Sequence, residues 1–142
     1  MKQTETIPET FLGVGYVSDR AGLPLVAVRV PVPQPAADEV LIRVAASSLN
    51  PLEYKLADLN FMGRTPPVVL GLDLSGIVIA AGHGVAVGDA VAAMADLNGD
   101  GGWGATATSG GAYAVAREFL TARKPPSLSF RDAAAQIGRA HV

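Results

Sequence analysis

EVLIRVAASSLNPLEYKL, residues 39–56, is the stretch that decides the fold predicted for this chain. Its first six residues alternate valine, isoleucine and valine with other residues, the period of two that is typical of a half-buried β-strand. The strand ends at Asn50-Pro51, because proline suits the first position of a helix and asparagine can accept hydrogen bonds from the free amides that follow. The stretch therefore predicts a strand, a cap and one or two turns of helix.

Apolar, strand-like runs lie on both sides of this stretch. They occupy residues 11–17, 25–33, 68–82, 89–95 and 110–126. Prolines in the second run remove backbone donors, which places that run at the edge of a sheet. Ser129 and Asp132 stand three residues apart before an alanine run, a pattern typical of a helix start. Many short strands and little helix predict a mainly β fold, a closed or partly open β-barrel with short helices.

Composition limits the classes of function. The 142 residues fit one domain, and charged residues interrupt the apolar runs before they reach the roughly 20 residues that a bilayer requires. The polar start, MKQTETIPET, lacks the apolar region of a secretory signal, so we expect a cytoplasmic protein without membrane partners. Nucleic acid is not an expected partner, because the net charge is −2 and the basic residues are scattered. The lack of cysteine excludes disulfides and thiolate metal sites.

Two segments resemble known ligand-binding motifs, but each lacks a required part. Gly82-His83-Gly84 follows a strand without opening a helix, so we interpret it as a turn rather than a phosphate loop. Residues 96–101 copy the first half of a calcium loop, but Ala107 stands where the bidentate glutamate belongs. No Gly-x-Ser-x-Gly occurs, which leaves hydrolase chemistry without support.

The junction LNPLEYKL, residues 49–56, is the candidate site. Asn50, Tyr54 and Lys55 bring an amide, a phenol and an ammonium to one strand-to-helix junction, where they could bind a carbonyl oxygen. The alternative is an ordinary structural junction with no chemistry of its own. Spacing alone leaves both interpretations open.

The order of motifs resembles a known family. VLIRVAASSLNPLEYK, PPVVLGLDLSGIVIAAG, VGDAVAAM, GGAYAVA and SFRDAAA follow one another as in the amino-terminal, GroES-like domain of the medium-chain dehydrogenase/reductase superfamily. The chain is most similar to the zinc-free quinone oxidoreductases and enoyl reductases. The resemblance implies a GroES-like, β-rich α+β domain over residues 1–135. The family's Rossmann domain, which binds the dinucleotide, would follow in sequence and is missing here.

The resemblance also implies a site and a reaction. Leu72 stands where zinc-dependent relatives have a metal-binding histidine, so no metal is expected. Asn50 and Tyr54 inherit the roles of holding the nicotinamide end of NADPH and the substrate carbonyl, and Lys55 is a weaker catalytic candidate. The implied reaction is hydride transfer from NADPH to a quinone or to the β-carbon of an α,β-unsaturated carbonyl. The intact parent is expected to be a homodimer.

The end of the chain suggests a fragment. IGRAHV resembles one reading frame of a sequencing adapter, so we expect residues 136–142 to be an artefactual tail on a truncated gene. Such a fragment would bind NADPH poorly and catalyse nothing measurable. Two alternatives stay open: a free-standing GroES-like binding or co-chaperone module, and an enoyl-reductase module of a larger synthase.

Overall fold

The computed structural model describes residues 6–17, 24–59, 64–81, 84–96, 101–104 and 111–136. In chain order the elements are β1 (Thr10–Tyr16), β2 (Val26–Pro31), β3 (Glu39–Ser47), α1 (Pro51–Leu59), β4 (Val68–Val69), β5 (Asp73–Ala81), β6 (Ala90–Ala95), β7 (Ala112–Arg123) and α2 (Phe130–Gln136). The predicted β-rich fold with short helices is confirmed. None of the described helices combines the length and the apolar character needed to cross a bilayer.

A barrel and a small sheet make up the fold. Strands β3, β5, β6 and β7 pair antiparallel in that order and close into a barrel, while β2, β1 and β4 form a separate sheet. The barrel core combines large aliphatic residues with alanines: Val40, Ile42, Leu74, Val78, Val91, Ala93, Ala95, Ala114 and Ala116. A barrel of so few strands has a narrow interior, and the alanines keep the inward side chains short enough to fill it.

The first half of β3 is buried on both faces, although its pattern predicts one buried face; further along the outer face, Arg43 is half-buried and Ala45 is exposed, as in a half-buried strand. Val40 and Ile42 point into the barrel core. Leu41, on the opposite face, is 2% exposed and packs in a second core that contains Phe11 and Tyr113. The sequence pattern describes one strand at a time, whereas the small sheet that covers this outer face is made of residues distant in sequence.

The long apolar run 68–82 forms two strands rather than one. Gly71 breaks the run because its φ of 104° is a conformation that residues with a side chain rarely adopt. The backbone groups freed by the break bond to other segments: Leu70 N donates to Val14 O at 3.0 Å, and Gly71 O accepts from Gly102 N at 2.8 Å. Just after the break, the chain lies beside the start of α1, where Leu72 N donates to Glu53 Oε1 at 2.9 Å.

Other predictions about single elements are confirmed. Strand β2 is an edge strand in the order β2-β1-β4. The hydroxyl of Ser129 accepts from the amide of Asp132 at 3.0 Å and so caps α2. Helix α2 is held on the barrel by Ser75 Oγ, which donates to Phe130 O at 2.5 Å.

The turn between β5 and β6 is built by an aspartate. Asp89 Oδ2 accepts from Ala86 N at 2.9 Å and from Arg123 Nε at 3.1 Å. The backbone bond from Ala86, followed by the bond and charge of Arg123, holds the pKa of the Asp89 carboxyl below its ordinary value. His83 and residues 97–100, which carry the other motif-like segments, lie outside the described residues.

Candidate functional site

The buried carboxylate of Glu53 organises the junction between β3 and α1. The Glu53 side chain is 1% exposed, and each of its oxygens accepts a backbone amide: Oε2 from Asn50 at 2.7 Å and Oε1 from Leu72 at 2.9 Å. The amide of Glu53 in turn donates to Asn50 O at 3.0 Å. This exchange is half of a capping box, and the bond to Leu72 ties the helix start to the chain that leads into β5.

The side chain of Asn50 points to the barrel rather than to its own helix. Its Nδ2 donates to Asp73 Oδ2 at 2.7 Å and to Ser48 Oγ at 3.2 Å. The prediction that this side chain caps α1 is therefore wrong. A carboxylate is a stronger acceptor for the amide hydrogens than a neutral group, and Glu53 supplies the cap instead.

Asp73, the first residue of β5, is a buried acid next to another buried acid. It is 5% exposed, and burial raises its pKa to about 6. That value is the net result, in which the negative charge of Glu53 also raises the pKa and the hydrogen bond from Asn50 lowers it. At neutral pH most Asp73 side chains are ionised and can only accept hydrogen bonds.

The backbone of Asp73 holds the end of β3 in place. Its carbonyl oxygen accepts from Ser48 N and from Ser47 Oγ, each at 2.9 Å. Trp103 fixes the same turn from the other side, because its indole Nε1 donates to Ser48 O at 3.0 Å. The residues just before Asn50 are therefore held by β5 and by the segment 101–104.

A cavity of about 500 Å³ opens beside this junction. Ser47 and Trp103 line it together with small residues of β3 and of the segment 101–104, including Ala45, Ala46, Gly102 and Gly104. Gly71 lets Trp103 approach, since a Cβ at Gly71 would lie 2.3 Å from the indole Cδ1. The described lining does not include Asn50. Two lining residues connect the cavity to the junction by hydrogen bonds: Ser47 Oγ donates to Asp73 O, and Trp103 Nε1 donates to Ser48 O.

The predicted site residues are only partly located. Asn50 lies at the junction, half-buried and hydrogen-bonded. Tyr54 belongs to α1 by its backbone, but its side chain lies outside the described part of the structure. Lys55 is exposed on the same helix. The catalytic roles of all three stay predictions.

Sequence reasoning missed the two acids at the centre of the site. Asn50 and Glu53 have the three-residue spacing of a capping box, which could have identified the cap. Asp73 is the one charged residue in the apolar run 68–82, and such an acid must be buried or mark the end of a strand. Trp103 carried no comparable signal, because its role depends on the position of a distant loop.

Leu72 is the residue at the position where the resemblance implies a metal ligand in zinc-dependent relatives. Here it is 4% exposed and packs in a core cluster with Tyr16 and Leu70. In the described ranges, no three histidine, cysteine or acidic side chains group in a way that could hold a metal ion. The local chemistry at this position is that of a packed aliphatic side chain.

Glu53→Gln is expected to destabilise the fold. One carboxylate oxygen becomes the NH2 group of a side-chain amide, which cannot accept the backbone N–H it faces, and a lost buried hydrogen bond of this kind costs about 1–3 kcal/mol. Relief of the repulsion with Asp73 offsets part of this cost. Denaturant unfolding at pH 7 measures the change in the unfolding free energy.

Glu39→Gln is the matched control, since the Glu39 side chain accepts one exposed backbone amide, from Ala36 at 2.8 Å. Equal effects of the two substitutions would contradict the prediction.

Titration of Asp73 is expected to lower stability as the pH rises. Its pKa is about 6 in the folded protein against an ordinary 3.8, so the folded state binds the proton more tightly. The resulting stabilisation is complete below pH 3.8 and is lost as the pH rises through about 6. We expect the unfolding free energy of wild type minus that of Asp73→Asn to fall by roughly 2 kcal/mol from pH 4 to pH 7. A difference independent of pH would refute the shift.

Comparisons with known proteins now identify relatives. The family model described as alcohol dehydrogenase GroES-like domain matches residues 36–124. The chloroplastic quinone-oxidoreductase QR1 of Triphysaria versicolor is 38% identical over 121 residues, which are 81% of this chain and 34% of that protein. A trans-enoyl reductase of Petromyces alliaceus is 36% identical over 120 residues, 80% of this chain and 31% of that protein. The chain thus spans about a third of the length of these curated relatives.

Solved structures agree with this result. The quinone oxidoreductase from Coxiella burnetii aligns with a TM-score of 0.72 and 29% identity, covering 89% of this chain and 40% of that one. A mycobacterial protein complexed with NADPH aligns with a TM-score of 0.68 and 26% identity, covering 87% of this chain and 35% of that one. The predicted fold and the predicted relatives are both confirmed.

Proposed function

The chain belongs to the alcohol dehydrogenase GroES-like domain family, and from that membership we propose that it is the substrate-binding part of a metal-independent, NADPH-dependent oxidoreductase. The proposed acceptor of the hydride is a quinone or the β-carbon of an α,β-unsaturated carbonyl. The observation that carries the proposal is the agreement among relatives: proteins named quinone oxidoreductase or trans-enoyl reductase match about four fifths of the chain at 36–38% identity.

The absence of a metal is proposed from the residues present. The sequence contains no cysteine, and the position of the expected histidine holds Leu72, a buried aliphatic side chain. Polarisation of the substrate oxygen must then come from hydrogen-bond donors of the protein. A buried hydrocarbon at Leu72 favours this metal-independent chemistry.

NADPH, when bound in the parent, supplies the hydride, and a structural relative complexed with NADPH supports this choice of cofactor. We assign Tyr54 to donate its phenolic hydrogen to the carbonyl oxygen, where negative charge develops as the hydride arrives. Asn50 is assigned to the nicotinamide end, since both of its amide hydrogens are already bonded and its side-chain oxygen is the remaining polar atom. Lys55, which is exposed, is a secondary candidate for stabilising the same charge.

Two exposed apolar residues, one of them next to the junction in sequence, support the proposal of a partner domain. Leu49, which immediately precedes Asn50, is 78% exposed, and Val17, which follows β1, is 60% exposed. Apolar side chains in such positions are often covered by another domain. We propose that the nucleotide-binding domain of the parent covers them. A cytoplasmic location and a homodimeric parent remain predictions; three plant relatives are named as chloroplast proteins.

The test starts from the gene. The locus is resequenced beyond the codon for Ala135, the longest reading frame is expressed, and oxidation of NADPH is followed with a benzoquinone and with an α,β-unsaturated ketone. We expect turnover by the longer protein and none by residues 1–142. Lack of turnover with both substrates would refute the proposal, and a ring-shaped heptamer of the 142-residue chain would favour the co-chaperone alternative.

A further inference from the structure

We propose that Asp73 is a positioning residue: it locks the side-chain amide of Asn50 in one orientation, so that the site offers a carbonyl oxygen and takes a ligand that donates an N–H. This inference deepens the proposed function and rests on it for the identity of the ligand. The orientation itself is a property of this chain and can be measured without the parent enzyme.

The hydrogen bonds around Asn50 define the lock. Nδ2 has two hydrogens; one reaches Asp73 Oδ2 at 2.7 Å and the other reaches Ser48 Oγ at 3.2 Å. An ionised carboxylate has no hydrogen to donate, so only the nitrogen end of the amide can face Asp73. Rotation of the amide by 180° would set Oδ1 against the carboxylate oxygen and replace a charge-assisted bond with a repulsion.

The acid itself is held rigidly. Asp73 begins β5, where it pairs with Met94 of β6, and its backbone carbonyl accepts from Ser48 and from Ser47. Asp73 and the end of β3 that leads to Asn50 thus belong to one hydrogen-bonded unit. A shift of either part would break several of these bonds. Burial of Asp73 strengthens the lock because little water reaches the carboxylate to compete with the amide hydrogens.

The consequence for a ligand is chemical selectivity. With its hydrogens occupied, Asn50 can accept from a ligand but cannot donate to one. A primary carboxamide such as that of nicotinamide carries N–H donors and matches this group, whereas a quinone or enone oxygen does not. In the orientation that Asp73 holds, Asn50 accepts a hydrogen bond from the carboxamide, and the substrate oxygen needs a different donor.

Protonation of Asp73 should release the lock. A neutral carboxyl can donate to Oδ1 of the rotated amide, so both orientations become available below the pKa of about 6. Within the described chain, the charged group that acts on Asp73 is Glu53 of α1; its other neighbours, Ser47 and Ser48 of the β3 end and Met94 of β6, are uncharged.

Nuclear magnetic resonance of the ¹⁵N-labelled 142-residue chain tests this inference. The chain has three asparagines and three glutamines, so the Asn50 side-chain signals can be assigned from one spectrum of Asn50→Ala. At pH 7.5 we expect the Asn50 amide hydrogens to exchange with water at least about tenfold more slowly than those of exposed Gln34, in keeping with a part-buried, charge-assisted bond. Lowering the pH should shift the Asn50 signals with a midpoint near the Asp73 pKa of about 6.

Two variants separate a positioning role from mere packing. Asp73→Asn keeps the shape but can donate as well as accept, so we expect it to abolish the pH-dependent shift and remove the exchange protection of Asn50. Glu53→Gln should retain the protection and move the midpoint to lower pH. Two results in the folded wild type would overturn the inference. One is exchange of the Asn50 amide hydrogens as fast as those of Gln34, and the other is an Asn50 chemical shift that does not change between pH 5 and pH 8. Those outcomes would leave the proposed hydride transfer untouched, because that reaction is tested separately in the longer protein.

Discussion

Tyr54→Phe is expected to lower turnover tenfold or more in a longer protein that contains this domain. The substitution removes one hydroxyl, and a lost donor to a developing oxyanion typically costs about 2.7–4 kcal/mol in the activation barrier. Asn50→Ala is expected to reduce turnover by an order of magnitude or more as well, because the cofactor ring loses a positioning contact. Rates of NADPH oxidation with saturating quinone or enone measure both effects.

Two control variants show whether a loss of turnover comes from the chemistry or from a folding defect. Tyr113→Phe removes the same hydroxyl group from a buried tyrosine that packs edge-on against Phe11, with ring centroids 6.0 Å apart, in the core between barrel and sheet. Gln34→Ala truncates an exposed amide far from the junction in sequence. Both controls should keep wild-type turnover. If Tyr54→Phe and Asn50→Ala also keep it, the chemistry lies elsewhere and the junction is structural.

Gly15→Ala is expected to prevent stable folding. A Cβ at this position would lie 1.6 Å from the carbonyl oxygen of Val68 and 2.7 Å from its carbonyl carbon, both main-chain atoms of β4. The clash cannot be relieved by turning a side chain, so β1 and β4 must separate and open the core cluster around Tyr16. We expect a loss of at least about 3 kcal/mol in the unfolding free energy, or no soluble protein.

Gly88→Ala is the comparison that isolates the steric effect. Gly88 has a φ of 98°, and no atom lies within 4 Å of an added Cβ, so the substitution carries only backbone strain. That strain costs roughly 1–2 kcal/mol. Chemical denaturation of both variants measures the two effects side by side. A Gly15→Ala protein no less stable than Gly88→Ala would contradict the close approach of the two strands.

Much of the fold was predictable because its signals are local. Alternating valine and isoleucine, prolines in an edge strand and a serine before α2 each act within a few residues. The strand break at Gly71 was missed, since an apolar run looks the same whether it is continuous or turns at a glycine. The breaking conformation there depends on bonds to Val14 and Gly102, which lie far away in sequence.

The candidate site likewise combines a feature set by neighbouring residues with one set by residues distant in sequence. The sequence determined that α1 begins at Pro51, shortly after β3, because the preference of proline for the first helical position involves only neighbouring residues. Only the tertiary structure decided where the Asn50 amide points: Ser47 of β3 pairs with Leu74 of β5, and this register brings Asp73, 23 residues further along the chain, next to the amide. A hydrogen bond across two strands depends on register, and register is a property of the assembled sheet rather than of either strand.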